Sequence, residues 1–272
     1  MYEIINMSTL TTLGIGGKAM VYSVNSLNEL IDLIDCNGIA LGKGSNILVS
    51  DYGIKRPVLY NRLTNFDYDG NLLRAQSGCS ISKLALQSAK RGLSGLEWAY
   101  MLPATVGGAT VMNAGAFFKS VSDCIIEVEL LRRGKVITLK ACECGFSYRK
   151  SGFLQGDFIL SVTFKLEKRK TEDCLALIEN ARSKRNLQPK GKSAGCVYKA
   201  VGKGSGYYID KAGLKGEREG DIFVSPIHAG FFINAGGGTA KQMLTLMQRV
   251  EKRVEQEFGI NLEREILLIG DF

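Results

Sequence analysis

Two glycine-rich stretches contain many of the residues that could bind a ligand or a cofactor. The first is a bend between two apolar runs within residues 39–51, formed by Gly42, Lys43, Gly44, Ser45 and Asn46. Glycine amides together with hydroxyl and amide side chains place several hydrogen-bond donors at one bend, which suits a pyrophosphate. Neither a Walker loop nor a G-x-G-x-x-G motif is present, and the pattern alone favours a hairpin turn.

The second stretch covers residues 102–118, reads LPATVGGATVMNAGAFF and has no charged residue. Because glycine has no Cβ, its backbone can come within contact distance of a ligand or of another chain segment. Such a stretch could form a wall against a flat cofactor. On pattern alone, a tight turn followed by a packed Ala/Gly helix or strand is favoured.

A polar and aromatic segment between two predicted strands contains Tyr148 and Arg149 and reads CGFSYRKSGF at residues 144–153. An arginine beside a tyrosine can clamp an anion there, although a solvated turn is the common outcome. The seven cysteines are scattered, and His228 is the single histidine. The sequence therefore predicts reduced thiols and no histidine-rich metal site.

The composition is that of a globular protein, with 45% hydrophobic and 23% charged residues and a net charge of +8. No apolar run is long enough for a membrane span, and no signal peptide is visible, so we expect a cytoplasmic protein without membrane insertion. Basic residues cluster at 165–170 and 182–203. They suit anionic small molecules, and nucleic-acid binding is the weaker alternative because no aromatic-interleaved signature accompanies them.

The elements that must position these residues follow from apolar periodicity and turn residues. We predict a strand and a helix within residues 19–35, a hairpin at Asp69-Gly70, and a helix that buries Ile81, Leu84 and Ala85 and stops at Gly92. A β-rich region covers 124–167 and is followed by a helix at 171–185. A long amphipathic helix ends at Gly259 and leads to a last strand. The charge run near Glu167 indicates a domain boundary.

Several segments, taken in order across nearly the whole chain, resemble the UDP-N-acetylenolpyruvoylglucosamine reductase family, in its shorter-loop subgroup. They read TTLGIGGKA, LGKGSNILVSD, LPATVGGATVMNAGAF, CGFSYRKSGF, SAGCVYK with VSPIHAGFFIN, and LEREILLIG. The resemblance implies an α+β fold, with a two-part FAD-binding module of the vanillyl-alcohol-oxidase (PCMH) type and a C-terminal α+β substrate-binding domain. We expect the module at residues 1–166, in subdomains of about 1–57 and 58–166. The substrate domain then covers 167–272, and a last strand at about 261–270 returns to the module.

The family activity implied is NADPH-dependent reduction of UDP-N-acetylglucosamine enolpyruvate to UDP-N-acetylmuramate, a step of peptidoglycan precursor synthesis. In the family, a hydride passes from FAD N5 to C3 and a proton is added at C2. By resemblance, Arg149 holds the substrate carboxylate, Glu265 orients or polarises the enolate, and Cys196 donates the proton. Cys196 stands where most members have serine, and Ala200 where many have asparagine. A buried core cysteine and an exposed strand-end glutamate are the structural alternatives.

The resemblance also assigns two sets of binding residues. The set for FAD consists of Gly42, Lys43, Gly44, Ser45, Asn46, Thr105, Gly107, Gly108, Asn113 and Ala114, with Thr12, Gly16 and Gly17 in support. The set for the UDP-sugar substrate consists of Tyr148, Arg182, Arg185, Lys190 and Lys199. The partners expected are the enolpyruvyl substrate and NADPH, with no nucleic acid, no metal and no obligatory protein partner. Another oxidase of the same flavin fold and a basic RNA-binding protein are the competing interpretations.

Overall fold

The structure is a computed structural model that describes residues 1–33 and 36–272. Contacts divide the chain into two compact units. The first unit contains residues 1–2, 21–43 and 56–186, and the second contains residues 3–20, 44–55 and 187–272. Among the helices of the described ranges, none combines the length and apolarity needed to cross a membrane.

The strands are β1 Glu3–Asn6, β2 Lys18–Val24, β3 Ile39–Leu41, β4 Ile47–Val49, β5 Ile54–Asn61, β6 Phe66–Asp69, β7 Leu72–Gln76, β8 Leu93–Ser94, β9 Gly115–Ala116, β10 Lys119–Ser120, β11 Ile125–Arg132, β12 Lys135–Lys140, β13 Phe158–Lys165, β14 Glu167–Lys168, β15 Arg218–Glu219, β16 Ile222–Val224, β17 Phe232–Asn234 and β18 Leu267–Ile269. The α-helices are α1 Leu27–Asp32, α2 Ile81–Lys90, α3 Val106–Val111, α4 Thr171–Asn186, α5 Ser205–Lys211 and α6 Ala240–Phe258. Short 3-10 turns lie at Met7–Thr9, Glu97–Ala99, Val121–Asp123 and Ala141–Glu143.

The first unit is organised around an antiparallel sheet in the order β12-β11-β13-β7-β6. Its buried core includes Leu73, Leu84, Val106 and Phe164, which come from the strands and from α2 and α3. The helix α4 packs against α2 and against the turn Glu97–Ala99. The core therefore fixes the start of α3 and the last turns of α4, where several predicted binding residues lie.

The second unit contains the antiparallel sheet β15-β16-β17 and the parallel pair β4 and β18. The apolar stripe of α6 is buried through Met243, Leu246, Val250 and Val254, as its spacing predicts. The helix ends at Gly259, whose φ of +65° is the left-handed conformation that glycine adopts without a Cβ clash. The prediction that this amphipathic helix ends at Gly259 is confirmed.

Most other predicted elements are also confirmed. Ser26 caps α1 by accepting a hydrogen bond from the amide of Glu29, although the predicted helix extends to Ile34 and Asp35, which lie outside the described residues. The hairpin β6–β7 turns at Gly70 and Asn71, one residue later than predicted. The last strand is shorter than expected, because pairing in β18 covers Leu267–Ile269 only.

The hairpin favoured for residues 42–46 is wrong. The strand before the bend, β3, pairs in parallel with β5, whereas the strand after it, β4, pairs in parallel with β18. The bend thus joins strands of different sheets. Parallel partners far away in sequence leave no local signal, which is why the glycines suggested a hairpin.

We expect Asp51→Ala to lower the stability of α6. The carboxylate oxygens of Asp51 accept hydrogen bonds from the amides of Ala240 at 2.7 Å and Lys241 at 3.0 Å in the first turn. Loss of these bonds and of a negative charge at the helix N-terminus should cost about 1–2 kcal/mol in a urea titration. The control Glu257→Ala removes only an exposed pair with Arg253 and should cost less than about 0.5 kcal/mol. Equal losses would contradict this role of Asp51.

Candidate active site

The small-residue stretch forms the start of α3 and packs backbone against backbone. Thr105 caps the helix, and its Oγ1 accepts a hydrogen bond from the amide of Gly108 at 3.2 Å. The amide of Gly107 donates to the carbonyl of Ser77 at 2.8 Å, and a Cβ on Gly107 would lie 2.9 Å from Ser77 Cβ. A Cβ on Gly42 would lie 2.4 Å from Thr105 Oγ1. Four predicted cofactor residues, Gly42, Thr105, Gly107 and Gly108, are thus brought together in the first unit.

Gly107 and Gly108 serve different purposes within this helix. Gly107 is buried and turned towards Ser77, so its missing side chain is needed for contact within the protein. Gly108 is exposed, and a Cβ there would meet only Thr105 Oγ1 at 3.3 Å. The backbone of Gly108 is therefore the part of the stretch that a ligand can approach.

The second half of the predicted phosphate bend belongs to the second unit. Gly44 has a φ of +59°, and a Cβ there would lie 2.3 Å from the carbonyl of Leu10. The side-chain amide of Asn46 donates to the carbonyl of Glu265 at 3.0 Å. Asn46, predicted to bind the cofactor, therefore also fixes the backbone of a predicted catalytic residue. Lys43 is exposed and Ser45 half-buried at the same bend.

The supporting residues near the N-terminus have structural contacts. Thr12 Oγ1 donates to the carbonyl of Ser193 at 2.7 Å. A Cβ on Gly16 would lie 2.8 Å from Val49 Cβ, and one on Gly17 would lie 2.2 Å from the carbonyl oxygen of Asp51. Both glycines are required by packing within the second unit.

Arg149 lies against the end of the small-residue stretch. Its Nη2 donates to the carbonyl of Gly115 at 2.6 Å, and the guanidinium lies 5.0 Å from the ring centroid of Tyr148. Asn113 is buried, and its side-chain amide donates to the carbonyl of Ser147 at 2.8 Å, which ties the arginine loop to the same place. Arg149, Asn113 and the half-buried Ala114 are neighbours within the first unit.

The basic residues of α4 contact the same region. Lys184 Nζ lies 4.9 Å and the Arg185 guanidinium 5.5 Å from the ring centroid of Phe117, and Arg185 Nη2 donates to the carbonyl of Trp98 at 3.0 Å. Arg182 Nη2 donates to the hydroxyl of Tyr100 at 3.0 Å. Burial lowers the pKa of Arg185, which is 9% exposed. Arg149 therefore contacts the hairpin of residues 115–120 at Gly115, and Lys184 and Arg185 contact it at Phe117.

Backbone pairing brings Cys196 and Glu265 together in the second unit. Cys196 forms a β-bridge with Phe231, and the amide of Val197 donates to the carbonyl of Gly230 at 2.9 Å. The amide of Glu265 donates to the carbonyl of Val197 at 2.8 Å. The segment that carries the thiol is thus held between residues 230–231 and 263–265.

His228 lies beside Cys196, a position that the sequence pattern did not indicate. Its Nδ1 accepts a hydrogen bond from the amide of Gly230 at 3.1 Å. A Cβ on Gly230 would lie 2.9 Å from His228 Cε1 and 3.4 Å from Cys196 Sγ. The glycine therefore makes room for imidazole and thiol at one place. The sequence signal that could have indicated this position is the single histidine two residues before Gly230 in the segment SPIHAGFF. Because glycine has no Cβ, an imidazole can pack directly against its backbone.

Two predicted substrate residues, Lys190 and Lys199, belong to the second unit. Lys190 is exposed, and Lys199 Nζ forms an ion pair with Glu263. The amide of Lys199 donates to the carbonyl of Glu263 at 2.8 Å, so this lysine belongs to the paired segment that carries Cys196. The roles of all these residues stay predictions.

Comparison with known proteins first defines the class. Residues 19–140 match the family described as an FAD binding domain. The matched range includes Gly42 and Gly107 of the first unit. Residues 188–269 match the family described as UDP-N-acetylenolpyruvoylglucosamine reductase, C-terminal domain. The predicted combination of an FAD-binding module and a separate C-terminal part is confirmed.

Relatives along the whole chain identify the family. The chain is 37% identical to the UDP-N-acetylenolpyruvoylglucosamine reductase of Rubrobacter xylanophilus, over 94% of this chain and 91% of the relative. It is 37% identical to that of Thermus thermophilus, over 97% and 98%. The crystal structure of the Thermus caldophilus reductase (MurB) matches with a TM-score of 0.92 at 35% identity and 99% coverage of both chains. The chain belongs to the UDP-N-acetylenolpyruvoylglucosamine reductase family and is an FAD-dependent oxidoreductase of peptidoglycan precursor synthesis.

The surroundings of His228 make a prediction about pH. Burial lowers the pKa of His228 in the folded protein below its ordinary value of 6.5. The unfolded chain therefore binds the proton more readily, and stability should be complete above about pH 6.5 and decrease as the pH falls through this window. We expect urea midpoints at pH 7.0 and 5.5 to differ in the wild type. The difference should shrink in His228→Asn, whose Oδ1 can still accept from Gly230. Equal differences would contradict the prediction.

Proposed function

We propose that this chain reduces UDP-N-acetylglucosamine enolpyruvate with electrons from NADPH. The observation that carries the proposal is the pairing that holds Cys196 next to the segment of Glu265, because a proton donor and an acidic residue then belong to one rigid element. A basic surface in the first unit suits the anionic nucleotide substrate. The reaction belongs in the cytoplasm, where NADPH and UDP-sugars meet.

Gly42, Gly107, Gly108 and the helix cap Thr105 form what we call the glycine cradle, and these residues fit FAD. The close approach of Gly42 to Thr105 and the exposed backbone at Gly108 leave main-chain groups accessible to a large flat ligand. We propose that Gly42, Lys43, Gly44, Ser45 and Asn46 hold the pyrophosphate, and that Thr105, Gly107, Gly108, Asn113 and Ala114 line the ring systems. When bound, FAD supplies the hydride that adds to C3 of the enolpyruvyl group.

Arg149 is assigned to the substrate carboxylate. Hydride addition at C3 builds negative charge on C2 and on the carboxylate, so a positioned guanidinium stabilises the transition state more than the ground state. The bond from Arg149 Nη2 to the carbonyl of Gly115 fixes the group. A guanidinium held in this way can present two aligned N–H donors to a carboxylate.

Cys196 is assigned the transfer of a proton to C2. A thiol is a stronger acid than a hydroxyl, so it can replace the serine found in most of the family. Glu265 is assigned to orient the enolate. Imidazole beside the thiol usually extracts its proton. In this chain Nδ1 of His228 accepts a hydrogen bond from the amide of Gly230, so this nitrogen is not available to act as a base towards the thiol.

The UDP part is assigned to Tyr148, Arg182, Arg185, Lys190 and Lys199. Arg182 is exposed and can contact phosphate directly, whereas Arg185 is buried and contributes mainly through its charge at Phe117. We further propose that residues 1–166 act as the FAD module and residues 167–272 as the substrate domain. The last strand, β18, then belongs to the module through its pairing with β4.

We expect Cys196→Ala to separate the two half-reactions. Reduction of the bound flavin by NADPH should be nearly unchanged, whereas its reoxidation by the enolpyruvyl substrate should slow by roughly 10²-fold or more, the range for loss of a general acid. Stopped-flow absorbance measures both steps. Cys196→Ser is the matched variant and should retain substantial activity. Unchanged reoxidation in the alanine variant would remove Cys196 from the chemistry.

We expect Gly108→Ala to weaken FAD binding without loss of folding. The added methyl meets only Thr105 Oγ1 and improves helix propensity, but it occupies the exposed backbone proposed to face the cofactor. Fluorescence titration with FAD should show at least about a tenfold rise in Kd, equal to about 1.4 kcal/mol. Gly107→Ala should instead lower the melting temperature, because its Cβ clashes with Ser77. Full FAD affinity in Gly108→Ala would contradict the cradle.

The simplest test of the proposed function is colour and turnover. The purified wild-type protein should be yellow or become yellow with FAD, and under anaerobic conditions it should oxidise more than one equivalent of NADPH per flavin only when the enolpyruvyl substrate is present. A protein that remains colourless with added FAD would overturn the proposal.

A further inference from the structure

The hairpin β9–β10 has an unusual turn. Ala116 pairs with Lys119 and Gly115 with Ser120, so Phe117 and Phe118 alone form the two-residue loop. Their φ angles are +55° and +63°. A tight hairpin turn of this kind requires left-handed backbone at both positions, where asparagine and glycine are preferred and a bulky side chain is strained.

Another hairpin of the same unit has the favoured residue. Arg133 and Gly134 form the two-residue turn between β11 and β12, with φ angles of +50° and +75°. The second position there is glycine, which adopts this conformation without steric cost. Phe118 occupies the equivalent position of β9–β10, so the chain retains a ring where glycine would relieve strain.

The two rings of the turn have different surroundings. Phe117 packs against the core of the first unit and lies beside Lys184 and Arg185. Phe118 has a relative exposure of 108%. Because its ring buries no surface within the protein, it contributes neither packing nor hydrophobic stabilisation to the fold. A strained and fully exposed ring suggests a contact made outside the folded chain.

The charges on this hairpin define the class of ligand. Arg149 donates to the carbonyl of Gly115, Lys184 and Arg185 lie beside Phe117, and Lys119 follows the turn. An exposed aromatic ring on a hairpin that several cations contact matches a nucleotide, whose base offers a flat face and whose phosphates are anionic.

We propose that Phe118 is a stacking platform for the heterocyclic ring of a nucleotide diphosphate that binds at this hairpin. The inference rests on the proposed function, which supplies two such nucleotides besides the bound FAD, namely the UDP-sugar and NADPH. Stacking on a phenyl ring needs no hydrogen-bond pattern and therefore fits either the pyrimidine of the first or a ring of the second.

The test compares Phe118→Gly with Phe118→Asn and Phe118→Trp. Glycine and asparagine keep the left-handed turn and remove the ring, and tryptophan restores an aromatic face. We expect the melting temperature of Phe118→Gly to equal or exceed that of the wild type. KM for one nucleotide should rise on the order of tenfold, with kcat changed less than about twofold, as for loss of one stacking contact. Phe118→Trp should return KM to near the wild-type value.

The two nucleotides are distinguished by measuring each KM with the other at saturation. A rise for the enolpyruvyl substrate assigns the ring to uracil, and a rise for NADPH assigns it to the dinucleotide. Calorimetry with UDP, which needs no turnover, gives the affinity independently. If both KM values and the UDP affinity of Phe118→Gly equal those of an active wild type, the proposed role of Phe118 is wrong and the proposed function is unaffected. A lower melting temperature of Phe118→Gly would also overturn it. An inactive, flavin-free wild type would instead contradict the proposed function.

Discussion

The backbone hydrogen bonds of Val197 are the interaction on which the proposed chemistry depends. The amide of Val197 donates to the carbonyl of Gly230, and its carbonyl accepts from the amide of Glu265. These bonds fix the backbone next to Cys196 relative to that of Glu265. The side-chain amide of Asn46 adds a third link by donating to the Glu265 carbonyl. A proton donor must lie within a few tenths of an ångström of its productive position. Paired backbone provides that precision better than a surface loop.

In the first unit, backbone that we propose to face the cofactor is exposed beside a closely packed core. A Cβ on Gly107 would clash with Ser77 and one on Gly42 would clash with Thr105, so both glycines are needed for close packing within the first unit. Gly108 remains exposed on the other side. The same unit collects its cations at one hairpin through Arg149 and α4. The small-residue stretch proposed to bind the cofactor and the cations proposed to attract the substrate therefore belong to one unit.

Sequence patterns predicted the elements that depend on local rules. The buried stripe of α6 and its end at the left-handed Gly259 follow from helical periodicity and from glycine after the last turn, and both are observed. The bend at residues 42–46 was predicted wrongly as a hairpin, because its strands pair in parallel with distant partners. The position of His228 next to the thiol depends on such distant pairing as well. The family resemblance named Cys196 and Glu265, but only the fold shows that pairing through Val197 holds their segments together.

The measurement that tests the central claim most directly is an anaerobic single turnover. The FAD-loaded protein is reduced by one equivalent of NADPH and then mixed with UDP-N-acetylglucosamine enolpyruvate. We predict rapid return of the oxidised flavin absorption, with one equivalent of UDP-N-acetylmuramate formed and with this step slowed in Cys196→Ala. Reduced flavin that persists in the presence of the enolpyruvyl substrate would contradict the account.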